Sequence, residues 1–581
     1  MTNITRTPCD AEVIRAGKVA AVGSRSARQT LRAPAPIWTL VAAILGSSMA
    51  FIDGSVVNVA LPVIQVELHA TASDAQWVVE GYLLFLSALI LVGGALGDRY
   101  GRRRIFATGI TLFTLASIVC GLAPTITVLI VARVVQGIGG ALLTPGSLAI
   151  LSAAYPPDRR GRAIGLWSGF TSITSALGPV VGGVLVTYAS WRWIFYLNVP
   201  LALLALVILF QRTVESREAD ISGPLDWPGA LLATLGLGGI VFGLIESSMY
   251  GLTAPIVLAA VGVGVVALSV FVVVESRSSD PMLPLALFRS KTFTGANLLT
   301  LLLYAATGAM TYFVPFNLIR AQGYPAAAAG VAFLPFVLIM FALSGWSGGL
   351  VDRFGAKLPL IIGPSIAGIG FLLFALPTLH ANYWLTFFPA IVVLGLGMTI
   401  AVAPLTTAVM GAVATDHAGA ASGVNNAVAR TASLLAIAAL GIVIAAVFNG
   451  SLDSQLAALH VAPSIRHALD AQRDRLIGAQ VPTNAPAALR TQLTQAIASA
   501  FVAGFRVVML ICAGLAFASA LIAGLLVEGK PARQAQAHSP ATDTSTPVAR
   551  LKNGKAASGN ALRSRAQDAT HDTPNGRRSQ R

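Results

Sequence analysis

Apolar stretches recur along almost the whole chain, broken by short polar or charged segments. Each is close to the ~20 residues that carry a helix across a bilayer. The pattern predicts spans at 38–61, 76–97, 104–123, 126–152, 163–186, 193–211, 227–246, 254–275, 294–316, 328–351, 358–377, 383–410, 420–448 and 499–527. A membrane β-barrel would instead show short alternating segments. The run from Trp38 to Leu61 is too long for the apolar part of a signal peptide and is read as the first spanning helix, ending at Pro62. The chain is therefore expected to be an all-α polytopic membrane protein of about fourteen helices. The even number puts both ends on one side.

Charge supports that topology. Of the 581 residues, 55% are hydrophobic and 11% charged, where soluble domains carry about 25% charge. The loops on the side of the termini hold Arg99, Arg102, Arg103 and Arg104, then Arg159, Arg160 and Arg162, then Arg277, Arg289 and Lys291. Loops 62–75, 247–253 and 378–382 on the other side hold no Lys or Arg. Basic residues accumulate on the cytoplasmic face, so both termini are expected inside, in the cell (inner) membrane. The long outside loop 449–498 is exempt from that rule, and the spacing of Leu452, Leu456 and Leu459 suggests a short amphipathic helix within it. The net charge of +15 sits largely in tails and short loops, as topology and anionic headgroups favour. The tails lack the stacking aromatics of a nucleic-acid surface, so no nucleic-acid partner is expected. Residues 529–581 have few large apolar residues and are expected to be disordered.

No metal or redox chemistry is indicated. Cys9 lies in the amino tail, Cys120 and Cys512 lie in apolar runs, and the seven histidines fall in loops, helix ends or the tail. Buried membrane cysteines usually act as small hydrophobes.

The stretch from Gly93 to Arg104 (GGALGDRYGRRR) ends an apolar run in glycines, one carboxylate and a burst of arginines. A degenerate copy lies at Gly348–Lys357 (GGLVDRFGAK), so the chain reads as two related halves. Topology needs only the arginines. Gly94, Asp98, Gly101 and Asp352 ask for more: glycine permits a tight turn, a carboxylate there can face the positive amino end of a neighbouring helix, and nearby arginines such as Arg353 can bridge to other helix ends.

Ionisable groups inside lipid each cost on the order of 3 kcal/mol or more. Asp53 lies ~12 Å below the outer surface, Glu80 ~6 Å and Arg133 ~10 Å, counting ~1.5 Å per residue. Three helices thus place charge at comparable depth, and carboxylates near an arginine can exchange a proton as that arginine approaches or withdraws. Glu80 can also be read as reaching the interface, and Arg133 as a structural anchor; Asp53 is too short to snorkel. Asn425, Asn426 and Arg430 open the thirteenth span, with Arg430 ~15 Å deep; it should face a water-filled cavity or an acidic partner. Arg506 is read as snorkelling outward, Asp226 as a helix start and Glu246 as structural. In the fifth span Gly169, Gly178, Pro179, Gly182 and Gly183 allow close helix approach and a bend.

Together these motifs resemble the major facilitator superfamily, in its fourteen-helix drug:proton antiporter branch, over roughly residues 38–528. Gly94–Arg103 is similar to the loop between helices two and three. Leu129–Gly137 resembles the helix-four arginine motif, and Gly169–Gly183 the helix-five antiporter motif. Asp53–Pro62, which includes Asn58, resembles the helix-one signature, with Ser55 where threonine is usual. The second loop copy departs by having Ala356 in place of a basic residue.

The resemblance implies a six-helix bundle at 38–211 and a second at 294–528 including loop 449–498. Two inserted helices with linkers lie between them at 212–293, and cytoplasmic tails at 1–37 and 529–581. It implies alternating access around a central cavity and no cofactor, the proton gradient being the energy source. Asp98, Arg99 and Arg102 would lock the cytoplasmic side while the outside is open, Asp98 facing the amino end of helix thirteen near Ala420.

The expected function is proton-coupled export of amphipathic drugs, cationic or neutral, by a chain for which a monomer suffices. An adaptor and outer-membrane channel would apply in a host with two membranes. The alternatives are an exporter of one metabolite or self-made antibiotic, a proton symporter, and, from another class, a membrane sensor. An enzyme would need a nucleophile–base set or a metal cluster within the spans, and none is evident.

Overall fold

A computed structural model describes residues 36–217, 226–278, 281, 283–413, 418–482 and 485–529; the tail residues 1–35 and 530–581, with the disorder expected of the second tail, lie outside that description. Fourteen helices among the described residues are long and apolar enough to span a membrane. In order they are helix one (Pro36–Glu67), two (Ala72–Tyr100), three (Arg102–Leu122), four (Ile126–Ala154) and five (Pro157–Tyr188). Helix six runs as Trp193–Tyr196 and Asn198–Arg212, followed by seven (Trp227–Tyr250) and eight (Pro255–Arg277). Helix nine (Lys291–Phe316) ends in a π turn (Asn317–Ala321), and helix ten is broken into Ala326–Ala332 and Leu334–Phe354. Helices eleven (Lys357–Phe374), twelve (Phe387–Gly411), thirteen (Ala418–Ala458) and fourteen (Ala487–Leu526) complete the chain. Odd-numbered helices start on the side where the described chain begins and ends, called here the terminal side; the opposite is the far side.

Local chemistry fixes many of the ends. Thr71 and Asp74 form a reciprocal capping box at helix two, satisfying amide donors that the first turn leaves free. Asp226 accepts from Gly229 N at 2.8 Å to start helix seven, the role its position suggested.

Two sequence expectations are corrected. Helix one does not stop at Pro62 but continues to Glu67; a membrane helix can carry an internal proline when its neighbours re-satisfy the backbone. The outside loop is much shorter than 449–498. Leu452 and Leu456 belong to helix thirteen, which has 41 residues. At ~1.5 Å per residue it is ~60 Å long, twice the ~30 Å hydrocarbon core. Helix fourteen starts at Ala487 and packs beside it, with Ser499 Oγ donating to Gln455 Oε1 at 2.6 Å. What remains of the loop holds a short helix (Pro463–Asp470) and a 3-10 turn (Arg473–Gly478). Arg473 ties it down by ion pairs to Asp470, at 2.7 Å, and to Asp453 on helix thirteen.

Helices seven and eight pack on each other where Gly239 meets Gly264, a Cβ on Gly239 lying 3.0 Å from Gly264 Cα. Helix seven then bridges the molecule. Leu237, Val241 and Ile245 cluster with Leu84 of helix two and with Leu434 and Ala438 of helix thirteen. Trp77 Nε1 donates to Glu246 Oε1 at 2.9 Å, consistent with a structural role for Glu246. Arg506 is exposed, and its Nε donates to Ala375 O at 2.7 Å, at the carboxy end of helix eleven on the far side, where a cation meets the helix dipole favourably.

The two seams between the halves differ. Helices two and thirteen stay close along their length, with Leu91 beside Gly423 and Gln76 Nε2 donating to Ile437 O at 3.4 Å. Helices five and ten meet only on the far side. There Ala327 N donates to Thr187 Oγ1 at 2.9 Å, Gly183 lies on the Ala326 carbonyl and Gly330 on the Pro179 carbonyl. Toward the terminal side, among the described residues, nothing lies within 4 Å of where a Cβ would stand on Gly165, Gly169, Gly345, Gly348 or Gly349. That seam is closed on the far side and unpacked on the terminal side.

Candidate functional site

The densest polar cluster in the membrane region lies inside the first half. Asp53 (helix one) and Arg133 (helix four) are both fully buried and form an ion pair through Arg133 Nη1 and Asp53 Oδ2. Arg133 also donates to Val78 O on helix two at 2.9 Å and to Gln136 Oε1 at 2.7 Å. Gln136 Nε2 donates to Asp53 Oδ1 and to Ser117 Oγ, each at 2.8 Å, and Asn198 Nδ2 reaches Ser117 Oγ at 3.2 Å. Helices one, two, three, four and six therefore converge on one hydrogen-bonded network around this carboxylate. The guanidinium also lies over the Tyr82 ring, 4.3 Å from its centroid. A buried ion pair holds only when its remaining donors and acceptors are satisfied, and this one is nearly saturated.

Sequence reasoning grouped Glu80 with that pair, and the structure separates them. Glu80 is fully buried, and neither carboxylate oxygen has a hydrogen-bond partner among the described residues. It lies one turn along helix two from Gln76, which meets helix thirteen. One carboxylate is thus locked within the first half, and the other stands unpartnered close to the junction of the halves. Glu80 does not reach a water interface.

Arg430 lies seven residues from Gly423 and seven from Ile437, which both meet helix two, so it shares that helix face. It makes no hydrogen bond or ion pair among the described residues, and its charge falls within range of Tyr82. Asn425 Nδ2 instead ties helix thirteen to helix nine, at 3.1 Å from Asn297 Oδ1 and 2.7 Å from Thr300 Oγ1. Asn426 bonds back to Ser422 O at 2.9 Å, and Asn58 to Gly54 O at 3.4 Å, within their own helices.

The helix-five glycines divide between two partners. Gly178 and Gly182 face helix one at Ser55 and Val56, while Gly183 and Pro179 face helix ten at Ala326 and Gly330. Gly169 meets nothing.

On the terminal side, Gly101 adopts φ +110, which only glycine holds without strain. Gly94 lies near Pro145, a Cβ there coming within 3.6 Å. Asp98 pairs with Arg102 at 2.7 Å within the loop, and Arg99 lies over Tyr100 at 5.8 Å. Arg353 is exposed; the Asp352 side chain lies outside the description. A residue that the sequence reading passed over anchors the first loop. Glu215, in the linker after helix six, accepts from Arg103 N at 2.9 Å and lies 3.8 Å and 3.7 Å from the Nε atoms of Arg103 and Arg104. Its only signal was an acid in a linker of mixed charge, shared with Glu218 and Asp220. Glu215→Ala is expected to free the linker, seen as faster limited trypsin cleavage at Arg212 and Arg217. Gln136, Ser117 and Asn198 were likewise missed, although Gln136 stands one turn from Arg133.

Among the described residues no group of three His, Cys, Asp or Glu side chains could hold a metal ion.

A chain of fourteen membrane helices, with buried charge at its centre and one seam closed on a single side, is built as a transporter. Residues 43–437 match the family profile of the Major Facilitator Superfamily, and the chain belongs to that family. Its relatives place it among drug-efflux transporters, not enzymes. It is 36% identical over 437 residues to the multidrug resistance protein Stp of Mycobacterium tuberculosis (strain CDC 1551 / Oshkosh), covering 74% of this chain and 80% of that one. It is 30% identical over 507 residues to the tetracenomycin C resistance and export protein of Streptomyces glaucescens, covering 86% and 94%. Among solved structures, a bacterial homologue of the human lysosomal transporter Spinster, inward-facing and unoccupied, aligns with a TM-score of 0.59. That alignment is 18% identical and covers 86% of this chain and 99% of the other.

Proposed function

We propose that this protein exports amphipathic drugs or toxic compounds from the cytoplasm in exchange for protons, by alternating access. The observation that carries this is the buried Asp53–Arg133 pair, held by Gln136 and Asn198. A proton on Asp53 would cancel its charge and release Arg133; its loss would restore the pair. Glu80 supplies a second station: an unpaired carboxylate costs several kcal/mol when buried, whereas a carboxylic acid costs far less. Substrate would meet Arg430 and Tyr82 between the halves.

The arginine load of the loops supports a cytoplasmic terminal side, so the geometry corresponds to a state open inward. In the opposite state Asp98 would leave Arg102 and meet the amino end of helix thirteen near Ala420, while helices five and ten part on the far side. The domain division read from the sequence fits this scheme: two bundles that rock, with helices seven and eight between them. Residence in the inner membrane, and in some hosts an adaptor and outer channel, belongs to the same proposal.

Export of one self-made antibiotic is the second reading. It is favoured by the tetracenomycin C export relative, which aligns over 94% of its own length.

In inverted vesicles with an imposed pH gradient, wild type should accumulate a neutral or cationic lipophilic drug, and Asp53→Asn should lose at least tenfold of the gradient-driven rate at unchanged expression. Equal uptake by both would move coupling away from Asp53, with Glu80→Gln next. Uptake of a single narrow substrate alone would favour the second reading.

A further inference from the structure

A partly open cavity of about 230 Å³ lies on the far side between the two halves, away from the Asp53 cluster. Its roof is the 3-10 turn Arg473–Gly478 of the far-side loop, and its walls come from both halves. Tyr312 and Phe316 of helix nine and Phe501 of helix fourteen form an aromatic lining. Two amide oxygens on this lining, Gln65 Oε1 and Asn449 Oδ1, are buried without a hydrogen-bond partner among the described residues. The orientation of Gln65 is fixed, because its Nε2 donates to Arg475 O in the roof at 3.1 Å; the orphan atom is therefore the oxygen. Gln65 as a whole is 3% exposed.

Unmet buried acceptors are costly, and a ligand that supplies donors would recover that cost. Both orphan atoms on the lining accept, so the complementary ligand donates. Aromatic faces beside acceptors suit an ammonium group, which combines several donors with cation–π attraction. The volume falls below the ~300–1,000 Å³ of drug-sized pockets, which restricts the ligand to one ring system with a short arm. From these observations we propose that the far-side cavity is a second ligand site, for a small aromatic primary ammonium, apart from the Asp53 cluster and bordered by Gln76 one turn from Glu80. Because its walls belong to both halves and its roof spans them, a bound ligand would hold the far side closed and slow transport.

The test uses purified full-length protein without any gradient, so that it stands or falls apart from the antiport proposal. Tryptamine is the probe, 3-ethylindole the control with the same ring and no ammonium, and equilibrium dialysis the readout. Tryptamine is expected to bind once per chain, at least tenfold tighter than 3-ethylindole. Ala445→Phe, which fills the cavity wall, should abolish that binding, and Asn449→Leu should weaken it at least fivefold. Asp53→Asn should bind as wild type. The proposal is overturned by equal affinity for the two indoles, or by no saturable tryptamine binding. It is equally overturned if Asn449→Leu binds as wild type while melting normally, or if Asp53→Asn abolishes binding. Should Ala445→Phe fail to fold, Asn449→Leu and the paired ligands still decide the matter.

Discussion

Arg133→Ala is expected to destabilise the first half by about 3–5 kcal/mol, the range seen when one partner of a buried ion pair is removed. The substitution leaves Asp53 fully buried with only the amides of Gln136 and Asn198 as donors. It also opens the space that the guanidinium fills against Tyr82. A lower midpoint of thermal unfolding in detergent, together with lost transport, is the expected result. The double variant Arg133→Ala with Asp53→Asn separates the two roles. With both charges gone, the uncompensated anion disappears and much of the stability should return, while gradient-driven transport stays lost. If the single variant melts like wild type, Asp53 finds another counter-charge and the pair is not what holds the site. If the double variant transports, coupling does not run through these residues.

Gly183→Val should be nearly as severe by a different route. A side chain there would run into the Ala326 carbonyl, with its Cβ 2.9 Å from Ala327 Cα. Backbone cannot yield as a flexible side chain can, and overpacking of this kind costs about 1–3 kcal/mol. That cost falls only on the state in which helices five and ten touch on the far side, so populations shift toward the far-open state by about tenfold per 1.4 kcal/mol. Spin labels at Tyr188→Cys and Ala328→Cys, on exposed sites flanking the seam, should report a longer distance in the variant. Transport should fall at least tenfold, and Gly183→Ala should lie between. Wild-type transport with an unchanged distance distribution would show that close contact at this point is not required for the cycle.

The contrast between Asp53 and Glu80 shows how far the sequence carries. Counting residues along a helix gives depth, and depth placed Asp53, Glu80 and Arg133 near one level. Direction around the helix axis depends on which neighbours pack where, and that distributed them differently. Asp53 turns into the first bundle toward Arg133, whereas Glu80 stands without a partner. The same limit hid Gln136, Ser117 and Asn198, ordinary polar residues until three helices bring them to one carboxylate. It also hid Glu215, since the return of the linker to the loop at Arg103 is a matter of tertiary path.

The sequence by itself determined the number and order of the membrane helices, the common side of the described chain ends and the family, through apolar runs, loop arginines and short motifs. These are one-dimensional properties, because a segment in lipid must satisfy its own backbone before it meets any neighbour. Only the tertiary structure decided that the helix-five glycines serve two helices at once. It alone decided that helices thirteen and fourteen run on as a long pair, and that one seam closes on the far side only. Those outcomes depend on the contact geometry of surfaces distant in sequence, where the position of one carbonyl oxygen decides whether two helices can touch.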